Sequence, residues 1–233
     1  EMRWFQKSKL SSDWMVICKI IRTMKRQIKS VKRSTRYKDR ILIKLYDGEL
    51  IKTSEEFFVK NSLKVDDFID QKVIDFLQKD IRVQQAIDTA YKFLSFRVRS
   101  SHEVAQKLSQ KGYNKLEISE VIKKLITMNY LDDSEFADIF TRDKFKVKKH
   151  GPLTVINGLK KHRISDETIH NTIFKYYTND SITELVEFHL IKKKKLSTKT
   201  YFDENKQKII SMLYRKGFSY EDINRVLVEK KLI

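Results

Sequence analysis

A helix–corner–helix pattern repeated three times constrains this chain more than any other feature of its sequence. In the first copy, Val104 and Leu108 lie one turn apart and Lys111-Gly112-Tyr113 forms a corner. Ile118, Val121, Ile122 and Leu125 then recur at helical spacing. A shift of 105 residues brings Ile209, Leu213, Lys216-Gly217-Phe218, Ile223, Val226 and Leu227 onto these positions. A shift of 51 brings Val155, Leu159, His162-Arg163-Ile164, Ile169, Thr172 and Ile173. One such module cannot bury its apolar face alone. The repeat therefore predicts a mainly α-helical protein of tandem three-helix modules in an elongated, curved array. The middle copy keeps the apolar positions, apart from Thr172, but lacks the Lys-Gly pair. Arg163 must adopt a left-handed conformation, at roughly 1 kcal/mol, or its helix must end another way.

The helix ends carry local signals. Ser100 and Glu103 form an S-x-x-E capping box, in which hydroxyl and carboxylate satisfy the orphan amides of a helix start. Asp132 and Glu135 open another helix with a similar box. Gly112 and Gly217 supply left-handed positions after helix ends. Gly151 breaks a helix, and Pro152 sits at the first-turn position that tolerates it. With one proline and five glycines in 233 residues, breakers are as scarce as a helical chain requires. These signals divide the chain into a basic extension (1–23), a small β-hairpin region with helices (24–80), and three-helix repeats at 81–131, 132–178 and 179–233.

Before the repeats the character differs. Ile41, Ile43 and Leu45 alternate with Leu42, Lys44 and Tyr46, as in a half-buried strand. Asp47-Gly48 follows, the strongest short hairpin signal. Gln27 to Ser34 is a weaker strand. Together they predict an antiparallel sheet of two or three strands. Ser54 opens a short helix. A second helix is expected from Val65 to Lys79, with Ile69, Val73, Phe76 and Leu77 on one face, and a third from Ile81 to Phe96. Residues 197–202 read as a loop. Residues 1–40 hold 13 Lys and Arg against 3 Asp and Glu, with scattered aromatics, and predict a poorly packed extension.

Catalytic motifs do not appear. There is no H-E-x-x-H, no Walker A glycine loop and no G-x-S-x-G. His102, His150, His162, His170 and His189 have no ligand spacing, and His162 is expected at the surface. Asp132-Asp133 reads as a helix cap rather than a metal site. A lone Cys18 gives no disulfide framework and suits a reducing cytoplasm. No apolar run approaches the ~20 residues of a membrane span. A non-enzyme without metal, cofactor or small-molecule substrate is the expectation.

Charge is the remaining signal. A net charge of +18 implies an anionic partner, nucleic acid or an acidic protein surface. The candidate basic face comprises Arg97, Arg99, Lys107 and Lys111 in the first repeat. The second supplies Arg142, Lys144, Lys146, Lys148, Lys149, Lys160, Lys161 and Arg163. The third supplies Lys192, Lys193, Lys194, Lys195, Arg215 and Lys216. Each alone is an ordinary surface charge. Their recurrence at equivalent repeat positions makes a shared surface credible.

The run R-S-x-x-E-(x)4-L-x-x-K-G-Y, then Y-L-D-D-x-x-F-A, then G-P-(x)6-L, resembles the RecX family of bacterial recombinase regulators. Arg99, Ser100, Glu103, Leu108, Lys111 to Tyr113, Tyr130 to Asp133, Phe136, Ala137, Gly151, Pro152 and Leu159 carry it. Each piece alone is weak, but their combination over residues 97–164 is specific, and the resemblance spans roughly residues 25–233. It implies a cytoplasmic, monomeric regulator that binds the RecA filament on single-stranded DNA and restrains it, with roles in recombination, DNA repair and the SOS response. Two other readings stand beside it: a helical-repeat nucleic-acid-binding protein without a recombinase partner, and an enzyme with an unrecognised site.

Overall fold

A computed structural model describes residues 25–35, 37, 40–192 and 199–232. The basic extension of residues 1–23 and Lys193 to Lys195 lie outside the described residues. Chain contacts gather into two compact units. One holds the residues up to Tyr91 with Tyr113–Val121, the other Lys92–Gly112 with the chain from Ile122 onward.

The first unit is built on a four-stranded antiparallel sheet in the order β3-β2-β1-β4, from β1 (Lys25–Arg33), β2 (Arg40–Leu45), β3 (Leu50–Ser54) and β4 (Phe68–Asp70). The β2 alternation holds. Ile41, Ile43 and Leu45 are buried, and Lys44 and Tyr46 are exposed. The Asp47-Gly48 turn closes the hairpin, with Gly48 at φ +94°. Arg26 on β1 ties itself to that turn through Asp47 (2.5 Å) and Glu49.

Ser54 caps the short α1 (Glu55–Lys60). The two helices expected at 65–79 and 81–96 are one, α2 (Gln71–Leu94). Lys79-Asp80-Ile81 contains no breaker, so the helix runs through. Ile69, expected on a helix face, instead points into the core from β4, a fourth strand beyond the two or three expected. Phe76 is exposed against expectation, although its ring lies 5.0 Å from that of Phe57. Ile28, Ile41, Ile43, Leu45, Ile51, Ile69, Ile74 and Leu77 form the core.

Arg40 is buried to 6 % side-chain exposure and pairs with Asp88 on α2, its guanidinium 4.0 Å from the Tyr37 ring. A buried cation stripped of its partner is strongly destabilising. Asp88 is one-third exposed, so water softens the loss. Asp88→Ala is expected to cost about 2–3 kcal/mol, read as a lowered denaturation midpoint. Arg40→Met on the same background is expected to recover most of it.

The repeats supply α3 (Ser101–Gln110) and α4 (Lys115–Thr127), then α5 (Asp133–Arg142), α6 (Pro152–Lys161) and α7 (Asp166–Tyr176), then α8 (Asn179–Lys192), α9 (Lys199–Arg215) and α10 (Tyr220–Glu229). Residues 199–202, expected in a loop, already belong to α9, and Phe202 is fully buried there. The second unit's core joins Val155, Leu159, Ile164 and Ile169 to Ile209, Leu213, Phe218, Ile223, Val226 and Leu227, the matched positions of two repeats. Thr172, the odd residue in the pattern, is buried and donates its hydroxyl to the Thr168 carbonyl at 2.7 Å. That back-bond satisfies the hydroxyl where the other repeats place an aliphatic group.

No helix among the described residues is long and apolar enough to cross a membrane.

Candidate nucleic-acid and partner interface

Every candidate basic residue among the described ones lies in the second unit, and they fall into groups with different surroundings. The first group surrounds the start of α3. Ser100 caps it: its hydroxyl accepts from Glu103 N and the Glu103 carboxylate accepts from Ser100 N, both at 3.2 Å. Asp133 adds a bond from the next repeat, its Oδ1 accepting from Ser101 N at 2.8 Å. Asp132 meanwhile caps its own helix by accepting from Ser134 N and Glu135 N. Asp133 therefore joins two repeats, a role that its sequence position beside a cap conceals.

Glu103 also draws in the nearby arginines. Arg97 donates to it at 2.6 Å, and Arg99 stands 3.7 Å from it while stacking on Phe93 at 4.1 Å. Lys107 lies 5.6 Å from the same ring. Arg97 and Arg99 are thus offset by a carboxylate already committed to a cap. Their charge reaches a partner in part only.

The corner of the second repeat faces this group. Arg163 takes the left-handed conformation, φ +55°. His162, expected at the surface, is half-buried with its ring 4.9 Å from Phe136 and 5.6 Å from Phe140. Burial and the neighbouring Arg163 and His162 hold the His102 imidazole below its ordinary pKa. Because Arg163 is exposed and strained, Arg163→Gly is expected to raise stability by about 0.5–1 kcal/mol, measured as a higher unfolding midpoint. A lowered midpoint would mean that the side chain makes a stabilising contact.

The second group centres on the segment Asp143 to Gly151. Residues Asp143–Val147 form a π-helical turn, a form rare in general and frequent at functional sites. Lys149 follows at φ +55°, a conformation that costs a lysine free energy. Three elements hold it there. His189 on α8 donates from Nε2 to the Lys149 carbonyl at 2.6 Å. Tyr177, at the end of α7, donates to the His150 carbonyl at 2.8 Å. Gly151 N donates to the Lys216 carbonyl at 2.9 Å, at the corner after α9. Burial pushes the Tyr177 phenol far above its ordinary pKa, so it remains a donor.

The third-repeat corner docks directly on the α6 start. Leu153 N donates to the Gly217 carbonyl at 2.9 Å, and the Thr154 hydroxyl donates to the Lys216 carbonyl at 3.2 Å. The α6 start has no side-chain cap, and its Leu153 amide is satisfied by another repeat instead.

Around this fixed segment the lysines converge. His150 is held below its ordinary pKa first by burial, then by the charges of Lys216, Lys144, His189 and Lys148. Its Nδ1 is buried without a hydrogen-bond partner among the described residues. Lys149 and Lys192 each place Nζ 5.7 Å from the Phe188 ring centre, and Lys144 stands 5.1 Å from Phe140. Among the described residues no carboxylate forms a salt bridge with any of these five lysines.

The remaining candidates are placed elsewhere. Arg142 acts on Asp138, which pairs with Lys175 at 2.5 Å. Lys160 lies 3.8 Å from Asp166. Lys111, Lys146, Lys161 and Arg215 are exposed. Among the described residues, no group of three His, Cys, Asp or Glu side chains could hold a metal ion.

Three family models match the chain: the first RecX three-helix domain over residues 86–125, the second over 132–173 and the third over 184–227. Regulatory protein RecX of Bacillus velezensis is 33% identical over 204 residues, 86% of this chain and 75% of that protein. The protein of the same name from Bacillus subtilis gives the same identity and coverage, 33%, 86% and 75%. That of Listeria monocytogenes is 28% identical over 195 residues, 84% of this chain and 72% of that protein. A crystal structure of regulatory protein RecX shares the fold, with a TM-score of 0.73 at 19% identity over 86% of this chain and 98% of that one. The crystal structure of RecX from Lactobacillus salivarius aligns with a TM-score of 0.55 at 26% identity, over 65% of this chain and 97% of that one.

Proposed function

The chain belongs to the RecX family of regulatory proteins, and from that premise we propose that it restrains the RecA recombinase by binding the RecA filament on single-stranded DNA. The observation that supports this most is the lysine cluster at the junction of the second and third repeats. Five lysines, none with a carboxylate partner among the described residues, converge there around a backbone segment held at positive φ at Lys149. Strain of this kind persists only where surrounding structure over-determines it, and it gathers at functional sites. Acidic protein surface and DNA phosphate both complement such a cluster.

The protein acts as a cytoplasmic monomer, by binding rather than by catalysis. Held on the filament, its bulk obstructs the next RecA subunit or the incoming duplex. The test follows ATP hydrolysis by RecA of the same species on single-stranded DNA as the purified chain is added. A fall in hydrolysis is expected. Unchanged hydrolysis at saturating protein, with tight oligonucleotide binding, would replace this reading with that of a nucleic-acid-binding protein without a recombinase partner.

A further inference from the structure

Phe188 is anomalous for a lysine-rich surface. It sits on α8 at 40 % exposure, with the ammonium groups of Lys149 and Lys192 each 5.7 Å from its ring centre. Its neighbour His189 is buried, lies 5.5 Å from it ring to ring, and is anchored to the Lys149 carbonyl. The aromatic group is therefore held at a fixed place beside the strained segment. Lys144, Lys148 and Lys216 act together on His150, one residue from Lys149.

An exposed ring among cations is what a single strand requires. Every base offers a π-face to stack on, and the phosphates on either side require positive charge at short range. A duplex hides its base faces and cannot use the ring. Flexible lysine stems can swing from the ring to the phosphates at little cost, because an exposed cation–π contact is worth only about 0.5–1 kcal/mol.

We propose that Phe188 is a stacking site for a base of single-stranded DNA, with Lys149 and Lys192 holding the adjoining phosphates and Lys144, Lys148 and Lys216 continuing the track. The proposal rests on the single-stranded DNA part of the function above and names the residue that recognises the strand.

The test uses the full chain without RecA and fluorescence anisotropy on a labelled oligothymidylate. Phe188→Ala is expected to weaken binding about 5- to 150-fold, the range for losing one base–aromatic stack, with the salt dependence unchanged. Phe188→Leu keeps the bulk, so it should fold normally and show a similar loss. Phe188→Tyr should restore binding. On an abasic strand of the same length, wild type and Phe188→Ala should bind alike. Lys149→Ala and Lys192→Ala should each flatten the slope of log affinity against log salt by about 0.7. Unchanged oligothymidylate binding by Phe188→Leu would overturn the proposal, as would an equal loss on the abasic strand or no binding by wild type. These outcomes are independent of RecA hydrolysis, so either idea can fail while the other stands.

Discussion

Replacing Gly217 with alanine is expected to destabilise the protein by about 3–5 kcal/mol, whereas the same change at Gly112 should cost about 1 kcal/mol. Both glycines end the second helix of a repeat at positive φ, +93° and +84°. Alanine at either position therefore carries the left-handed strain. Their surroundings differ. A Cβ at Gly217 would lie 2.2 Å from Thr154 Oγ1 and 2.5 Å from Thr154 N, whereas a Cβ at Gly112 would meet nothing within 4 Å. Thr154 cannot yield, because its amide belongs to the α6 start and its hydroxyl bonds the Lys216 carbonyl. Gly151 faces the same joint, where a Cβ would fall 2.4 Å from the Gly217 carbonyl oxygen. Gly151→Ala should therefore be severe as well, and the double variant should cost less than the two added together, since each change opens the same joint. Urea unfolding of the four variants checks this. Equal losses at Gly112 and Gly217 would show that backbone strain alone governs these corners and that the repeat junction adds nothing.

That contrast also marks how far the sequence can be read. The helix caps at Ser54, Ser100 and Asp132 are legible because a cap involves residues within one turn. The apolar repeat is legible for a similar reason, since burial follows helical spacing whatever the tertiary detail. The close approach of Gly151 to Gly217 is not, because it joins positions remote in sequence and each glycine has a sufficient local explanation. β4 escaped because three residues are too short to show a strand period, and Ile69 happens to fit a helical one. Lys149 escaped because nothing about a lysine announces positive φ. The basic face was legible as a set of residues but not as an arrangement. Arg97 and Arg99 looked equivalent to Lys144 and Lys148, and only the structure shows Glu103 offsetting the first pair. His162 was misread because a histidine in a lysine position suggests solvent, whereas its ring packs on Phe136 and Phe140.

Reversing three charges of the junction cluster, Lys144→Glu, Lys148→Glu and Lys216→Glu together, is expected to weaken binding to the RecA–DNA filament by on the order of 100-fold or more. Like charges brought together at an interface cost several kcal/mol, and each 1.4 kcal/mol is a factor of ten. Net charge alone would also lower the attraction of a chain at +18 for any polyanion. The control is therefore Lys52→Glu, Lys60→Glu and Lys72→Glu, exposed lysines of the first unit that change the net charge equally. A small loss in the control beside a large one in the cluster variant assigns the binding to the junction. Equal losses would make the protein a diffuse cation and remove the site. The His150 imidazole supplies a check that needs no partner. Its pKa is depressed by burial and then by Lys216, Lys144, His189 and Lys148. Three glutamates there should raise it, while the control variant should leave it unmoved, as read by NMR titration. The native His150 takes up its proton less readily than in the unfolded chain, so folding stability falls as pH drops below the ordinary histidine pKa of about 6.5. The cluster variant should lose less stability over that window. A protein that gains acid tolerance as it loses its partner would show that the lysines are held together against their mutual repulsion for binding and not for the fold.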